Sequence, residues 1–478
     1  MSKLYIFAIG GTGSRVLRSL TMLFASGVQL DNGISEVVPV IIDPDRQNGD
    51  LTRTVSLMNN YISIQSKLSF PKENNNNFFK TKINRVLPNF VLPIHDTEDK
   101  KFRNFINLPA MSRENKAMME MLFSERNLQS SMDEGFKGNP NVGSVVLNQI
   151  SGSGEFINLA NSFQAGDKIF IISSIFGGTG AAGFPLLLKT LRTNKDIPNY
   201  SAINKATIGA VTVLPYFRVK QDNTSEIDSS TFISKAKSAL AYYERNIINN
   251  ADIDALYYLG DNQNNAYDNH QGKSDQQNDA HFIELLAASA IVDFTKRGIV
   301  ARTDPNFIPG TTLNMEYGAK QAGAALTLDS FFNRTKEVIF KPMTQLLLMA
   351  NAFSQHFSYI KSSELNANKR LGISEDFYNS TFVDNVKEFL EAYQSWLREM
   401  KGNVRSFDIF NLDAGDKPFD ILTGIKAKRY RSLKRNYNLL YDFVNDACSK
   451  VKSSAQEDRL FELYSIATNE MIKGKLNF

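Results

Sequence analysis

The sequence predicts an α/β fold: a domain built on a mostly parallel sheet, followed by a largely α-helical C-terminal domain. Three observations predict it. Two apolar strands each run through a glycine-rich turn into an apolar segment at helical spacing, at Leu4–Phe24 and at Asp167–Leu191. A third apolar run, Val37–Ile42, ends in Asp43-Pro44-Asp45 and so places carboxylates at a strand's carboxyl end, the edge where open α/β sheets bind ligands. Beyond residue 335 apolar residues recur at helical intervals, without strand-like alternation.

The elements follow in order. Leu4–Ile9 reads as a buried strand, Gly10-Gly11-Thr12-Gly13-Ser14 as its loop, and Arg15–Phe24 as a helix carrying Val16, Leu17, Leu20, Leu23 and Phe24 on one side. After the Val37–Ile42 strand, residues 51–134 form a long departure. Within it Pro71–Asn77 reads as an exposed loop, and Ser112–Gln129 as helical, its Met118, Met119, Met121, Leu122 and Phe123 favouring core filling over a binding face. Ile169-Phe170-Ile171-Ile172 is the next strand, and Gly177, Gly178, Gly180 and Gly183 punctuate the turn before Leu186-Leu187-Leu188.

Strand, glycine loop and helix point bare backbone N–H groups and a helix N-terminus at an anion. Glycine permits φ > 0 and the close approach of a phosphate, and Thr179 adds a hydroxyl. A Walker A loop would need Lys-Ser/Thr after its last glycine, where Phe184-Pro185 stands. The dinucleotide spacing fits Gly178-Thr179-Gly180 to Gly183, but in mid-chain; read from Gly11 it fails at Val16. A glycine-rich turn with no ligand is the structural reading.

Gly177-Gly178-Thr179-Gly180, in its strand–loop–helix setting, resembles the signature loop GGGTG-S/T-G of the tubulin/FtsZ superfamily, with Phe176 in place of the first glycine and Ala181-Ala182-Gly183 in place of the usual ending. Gly10–Ser14 resembles that family's first loop, Asp43–Asp45 its second, and Gly138-Asn139-Pro140-Asn141-Val142-Gly143 its third. Thr212–Phe217, Asp254–Asn262 and Asn278–Phe294 resemble the later strands and the long central helix. The likeness spans the first three-fifths of the chain and looks closer to bacterial tubulin-like proteins that are neither division proteins nor tubulins. It implies a domain for GTP or GDP, with Mg²⁺ as the nucleotide's companion. Phosphates would sit on Gly10, Gly11, Thr12, Gly13, Ser14, Gly177, Gly178, Thr179 and Gly180, with Asp43, Asp45, Gly138, Asn139 and Pro140 around them. The base side would fall to Asn262 and Asn278, the alignment not separating Asn278 from Asp279 or His281.

In that family hydrolysis uses paired acids entering from a neighbouring subunit. The segment Thr295–Pro305 is basic and holds no such pair, which leaves Asp293 and Asp304 as the catalytic candidates. Whether the chain is a weak GTPase therefore stays open, and the resemblance implies a nucleotide that acts mainly as a structural or switching ligand for assembly or partner binding. The alternatives are a degenerate scaffold without nucleotide, a cytomotive GTPase filament, and an oxidoreductase using Gly10–Gly13 and Asp43.

Composition bounds the rest. A chain of 478 residues exceeds the size at which one core stops growing, so residues 1–300 read as the nucleotide domain, 301–335 as a transition, and 336–478 as a helical domain available to a protein partner. No apolar run approaches the ~18 residues of a membrane span. The passage from Met1-Ser2-Lys3 straight into a strand predicts no signal peptide, and Cys448 alone suits a reducing cytoplasm. The histidines, His95, His270, His281 and His356, have no metal-site spacing. A net charge of +4 does not argue for nucleic acid, and the cluster Lys426, Lys428, Arg429, Arg431, Lys434 and Arg435 reads as a solvated face whose tyrosines turn inward. Asp261–Asp279 is apolar-poor and reads equally as a lid over the base or as an insertion.

Overall fold

The computed structural model describes residues 2–476 other than 32, 72, 134, 137, 221–230, 263–264, 268–273, 275, 309–312, 317–322, 324, 416 and 426–436. Its centre is a seven-stranded sheet: β1 (Ser2–Ile9), β2 (Ile34–Ile42), β3 (Lys82–Ile83), β4 (Lys168–Ser174), β5 (Thr207–Val213), β6 (Ala255–Leu259) and β7 (Leu313–Glu316). The spatial order is β3-β2-β1-β4-β5-β6-β7, and every pairing is parallel. Strands covered on both faces read as unbroken apolar runs, and β1, β4 and β5 are buried almost throughout.

The order carries the functional geometry. From β1 the chain builds outward through β2 to β3, then crosses back to lay β4 on β1's other side and continues to β7. The boundary between β1 and β4 is therefore the topological switch point, where doubly wound sheets open a crevice at their carboxyl edge. Register aligns that edge, since Ile9 lies opposite Ile42 and Ala8 opposite Ile172.

Helices α1 (Gly10–Ser26) and α2 (Gly49–Gln65) follow β1 and β2; α3 (Arg113–Leu122) and α4 (Pro140–Leu147) belong to the long connection to β4. Then come α5 (Gly178–Thr193), α6 (Phe232–Tyr243) and the central α7 (Phe282–Lys296). The C-terminal region is helical: α8 (Lys341–Lys361), α9 (Thr381–Lys401), α10 (Tyr437–Ala447) and α11 (Gln456–Lys475), with the short Asn366–Leu371. Among the described residues no helix is long and apolar enough to cross a membrane.

The helical region sits directly on the sheet domain. α8 lies on α1 and α9 on α2, and one apolar core runs from the strands into the helices. The Phe79 ring joins Phe389 (4.9 Å) and Phe461 (5.2 Å), tying the 51–134 segment to α9 and α11. Asp458 accepts hydrogen bonds from the backbone N–H and hydroxyl of Ser69 (2.8 and 2.6 Å). Trp396 and Cys448 are packed inside.

Four expectations need correction. The Ser112–Gln129 helix breaks at Phe123, and Met118, Met121 and Leu122 are 50%, 89% and 63% exposed, so only Met119 and Phe123 fill space. Apolar spacing gave the helix but not which face had a partner. Gly10, Gly11 and Gly13 lie within the first turn of α1, and Gly178 and Gly180 within the first turn of α5, rather than in a turn preceding them; Gly177 caps α5 and Gly183 lies in its second turn. Of the loop glycines only Gly10 (φ +73°) and Gly138 (φ +74°) are left-handed. The C-terminal region also contributes a two-residue parallel pair, Ala325–Leu326 with Ser406–Phe407. The basic cluster of residues 426–435 lies outside the described residues, but Tyr437 and Tyr441 turn inward on His356 and Tyr359.

Candidate functional site

The two glycine loops leave the strands on either side of the switch point and meet. A Cβ built on Gly10 would lie 3.3 Å from the Cβ of Thr179 and 3.7 Å from the Gly180 nitrogen. The third loop closes on them from the side: a Cβ on Gly178 would stand 2.9 Å from the Phe136 Cβ and 3.0 Å from the Gly138 nitrogen. Asn139 then enters α4 with Pro140 at its first position, where the missing N–H costs nothing. Gly13 and Gly180 are held to glycine by backbone, at 2.6 Å from the Ala8 carbonyl carbon and 2.7 Å from the Ser174 oxygen. Gly11 differs, because a Cβ there would project into open space.

Neither α1 nor α5 has a side-chain cap or an acid in its first turn. Side-chain caps are present on α2, α3, α7 and α9, from Asn48, Ser112, His281 and Ser380, while α4, α6, α8 and α11 lack one as α1 and α5 do. Two helix ends thus converge with first-turn N–H groups and positive dipole ends free of side-chain acceptors. Ser14 Oγ in α1, Ser173 Oγ and Thr212 Oγ1 are buried without a hydrogen-bond partner among the described residues, the last two directly opposite each other on β4 and β5. Buried polar atoms left without a partner are what a polar ligand or its waters would satisfy.

Around the second loop, Asp43 accepts the Asp45 backbone N–H (3.0 Å), and burial pushes its carboxyl up to about 7. Asp45 is also buried and accepts the Gln47 N–H (3.1 Å). Asp50, in the first turn of α2, pairs with Arg53 at 2.6 Å.

On the base side, Asn278 gives its backbone N–H (3.3 Å) and amide (3.4 Å) to Asp50. Asn262 is exposed beyond β6, next to Asp261, which Arg405 binds at 2.6 Å. Asp279 offers its carbonyl to Arg15 (2.8 Å) and to the Tyr267 hydroxyl (3.1 Å). His281 caps α7, its Nδ1 accepting the Ile283 N–H at 3.2 Å; burial, with Arg15 and Arg405 nearby, pushes its pKa down to about 3, so it is neutral there. Arg15 is buried against Glu284 (2.5 Å), which also accepts the Tyr216 hydroxyl (2.9 Å). The 261–279 loop is described only in part. Its Gln276 is bonded to Asn48 and to the Asp50 N–H, and Ala266–Tyr267 pairs with Arg218–Val219.

The two acids considered for catalysis lie elsewhere. Asp293 is twelve residues along α7 from His281, about 18 Å of helix, and is enclosed by Tyr257 (2.9 Å) and Arg297 (2.6 Å). Asp304 is exposed and caps its own turn through Asn306 (2.8 and 3.0 Å). Arg302, from the same segment, is tied back to Asp254 at 2.8 Å.

The sequence reading missed Lys235 on α6, whose Nζ donates to the Gly138 carbonyl at 3.0 Å and so brings a cation to the third loop. It also missed Arg15, Glu284 and Glu399. Arg15 and Glu284, each a charge lying inside an apolar helical run, carried a signal; Glu399 carried none.

The fold and site are those of a doubly wound α/β domain with two glycine loops at its switch point, carrying a helical C-terminal region. No family model matches the chain, and no curated protein matches it in sequence. Among solved structures it is similar to the GTPγS-bound protofilament of CetZ2 from Haloferax volcanii (13% identity, 64% of this chain and 61% of that one, TM-score 0.29). It is likewise similar to a point mutant of FtsZ from M. jannaschii (16%, 64% and 59%, TM-score 0.30) and to the GDP-bound monomer of CetZ1 from Haloferax volcanii (14%, 61% and 58%, TM-score 0.28). The chain spans about three-fifths of the length of these structures.

Proposed function

We propose that this chain is a guanine-nucleotide-binding protein of tubulin/FtsZ type, in which the nucleotide is a structural or switching ligand. One observation carries the reading: two helix N-termini without side-chain caps flank the switch point of a parallel sheet and meet where Gly10 abuts Thr179. The residues fit the ligand. First-turn N–H groups of Gly10–Ser14 and Gly177–Gly180 would take the phosphates, with Gly11 facing open space and the Ser14 hydroxyl awaiting a partner. Lys235 and the third loop, Gly138–Pro140, would stand at one side, and Asn278 or Asn262 at the base. Mg²⁺ would accompany the phosphates with few protein ligands. In this reading residues 1–300 bind nucleotide, and residues 336–478 take the partner.

Turnover is slow. Phosphoryl transfer to water needs a positioned nucleophile, and Asp293 is already held by Tyr257 and Arg297. Calorimetry with GTP, ATP and NAD, each with Mg²⁺, tests the reading. GTP is expected to bind and NAD not to; GTP without effect would overturn it.

A second reading, a scaffold that has lost its ligand, draws on the same loops. Gly13, Gly178 and Gly180 are required by close backbone packing whether or not a phosphate binds. The substitution that separates the two is Gly11→Val, whose side chain enters only the space assigned to phosphate. It is expected to abolish GTP binding at an unchanged melting temperature.

A further inference from the structure

Resting on the nucleotide reading, we propose that the C-terminal helices complete the site: Glu399, near the end of α9, is a positioning residue for its base side. Its carboxylate is largely buried and gathers three segments distant in sequence. Arg18, two turns into α1, donates to both oxygens (2.7 and 2.8 Å). Arg53, one turn into α2, approaches to 3.5 Å. The backbone N–H of Ala280, just before the cap of α7, donates at 2.8 Å.

The neighbours of Glu399 extend the grip. Asn403 donates its amide to the Ala280 carbonyl (2.7 Å), so both backbone groups of Ala280 are held from the C-terminal region. Arg405 binds Asp261 at 2.6 Å, and the Val404 N–H donates to Asn265 at 2.7 Å. Asn265 and Asn403 are also bonded to each other. On the far side, Arg53 pairs with Asp50 and donates to the Asn278 carbonyl, while Asp50 accepts from the Asn278 N–H. The ends of the 261–281 segment are thereby fixed by residues 399–405, and the same carboxylate fixes the helices that leave the first and second loops.

Burial of the ions alone does not argue for placement, since buried ion pairs and triads can often be replaced by packed apolar side chains. The argument lies in where the partners come from: one carboxylate joins α1, α2 and the residue before the cap of α7, the elements that carry the first loop, the second loop and the base side. Coupling of this kind is reciprocal: if Glu399 favours the nucleotide-competent arrangement, bound nucleotide must favour the Glu399 contacts.

The experiment uses the full chain and Glu399→Gln. Calorimetry with GTP and Mg²⁺ is expected to give affinity lower by about tenfold or more, from the loss of charge-assisted contacts. Hydrogen exchange of the parent is expected to slow in residues 276–281 and 399–405 when GTP is added. Equal GTP affinity in parent and variant, with only a lower melting temperature for the variant, would reduce Glu399 to a structural ion pair and overturn this inference alone. Exchange in 399–405 of the parent indifferent to bound GTP would do the same, even if the variant failed to fold. A parent that binds no GTP would overturn this inference and the reading on which it rests.

Discussion

Asp43 sits at the carboxyl end of β2 with its carboxyl raised from 3.8 to about 7 by burial, although the Asp45 N–H lowers it. The sign follows from linkage. The folded state keeps a proton that the unfolded chain releases, so this group's contribution to stability is full below about pH 4, falls by up to about 1.4 kcal/mol per unit as pH rises toward 7, and levels off above it. Asparagine at this position can still accept the Asp45 N–H and never ionises. Asp43→Asn is therefore expected to match the parent's stability at pH 4 and exceed it at pH 8, read by denaturant unfolding. A parent–variant difference that stays constant across that range would count against the buried, proton-holding carboxyl. Glycines give a second contrast at this scale. Gly178→Val would drive its side chain into Phe136 and the Gly138 backbone, so misfolding is expected rather than a clean loss of binding. Gly11→Val has the open space that a clean loss requires.

Among the elements, legibility in the sequence followed burial. β1, β4 and β5 are covered on both faces, so their runs are apolar without interruption and stood out. The helices after the glycines were legible too, because α1 and α5 repeat their apolar residues at helical spacing. What the spacing did not give was contact over distance. Asn278 meets Asp50 across 228 residues, and Glu399 meets Arg18 across 381. Neither pair has a motif, and each depends on which loops the sheet order brings to one edge. α3 shows the converse, an amphipathic pattern whose Met118, Met121 and Leu122 face outward. At the start of α7, Arg15 and Glu284 form a buried pair at 2.5 Å. Glu284→Ala leaves the Arg15 charge uncompensated and is expected to cost about 3–5 kcal/mol. A loss below about 1 kcal/mol in denaturant unfolding, the range of exposed pairs, would show that the pair is not desolvated as the packing around it indicates.

For the whole molecule the question is whether nucleotide drives repeated head-to-tail assembly or a single change of state. Two features favour the single change. The segment after α7 is bound to its own domain, with Arg302 on Asp254 and Arg297 on Asp293, so its groups serve this chain's interior. The C-terminal helices lie on α1 and α2 and share one core with the sheet, so their apolar faces are used within this chain. A protein so arranged is expected to bind GTP without a concentration threshold and to release phosphate slowly, at a rate per molecule independent of protein concentration. Light scattering and phosphate release, followed together across protein concentration with GTP and Mg²⁺, check this. If Asp293 or Asp304 took part in turnover, Asp293→Asn or Asp304→Asn would abolish the residual rate; the enclosure of Asp293 and the self-capping of Asp304 predict that neither does. A sharp critical concentration, with turnover rising steeply above it, would show instead that a second copy completes the site, and the chain would then be a cytomotive filament.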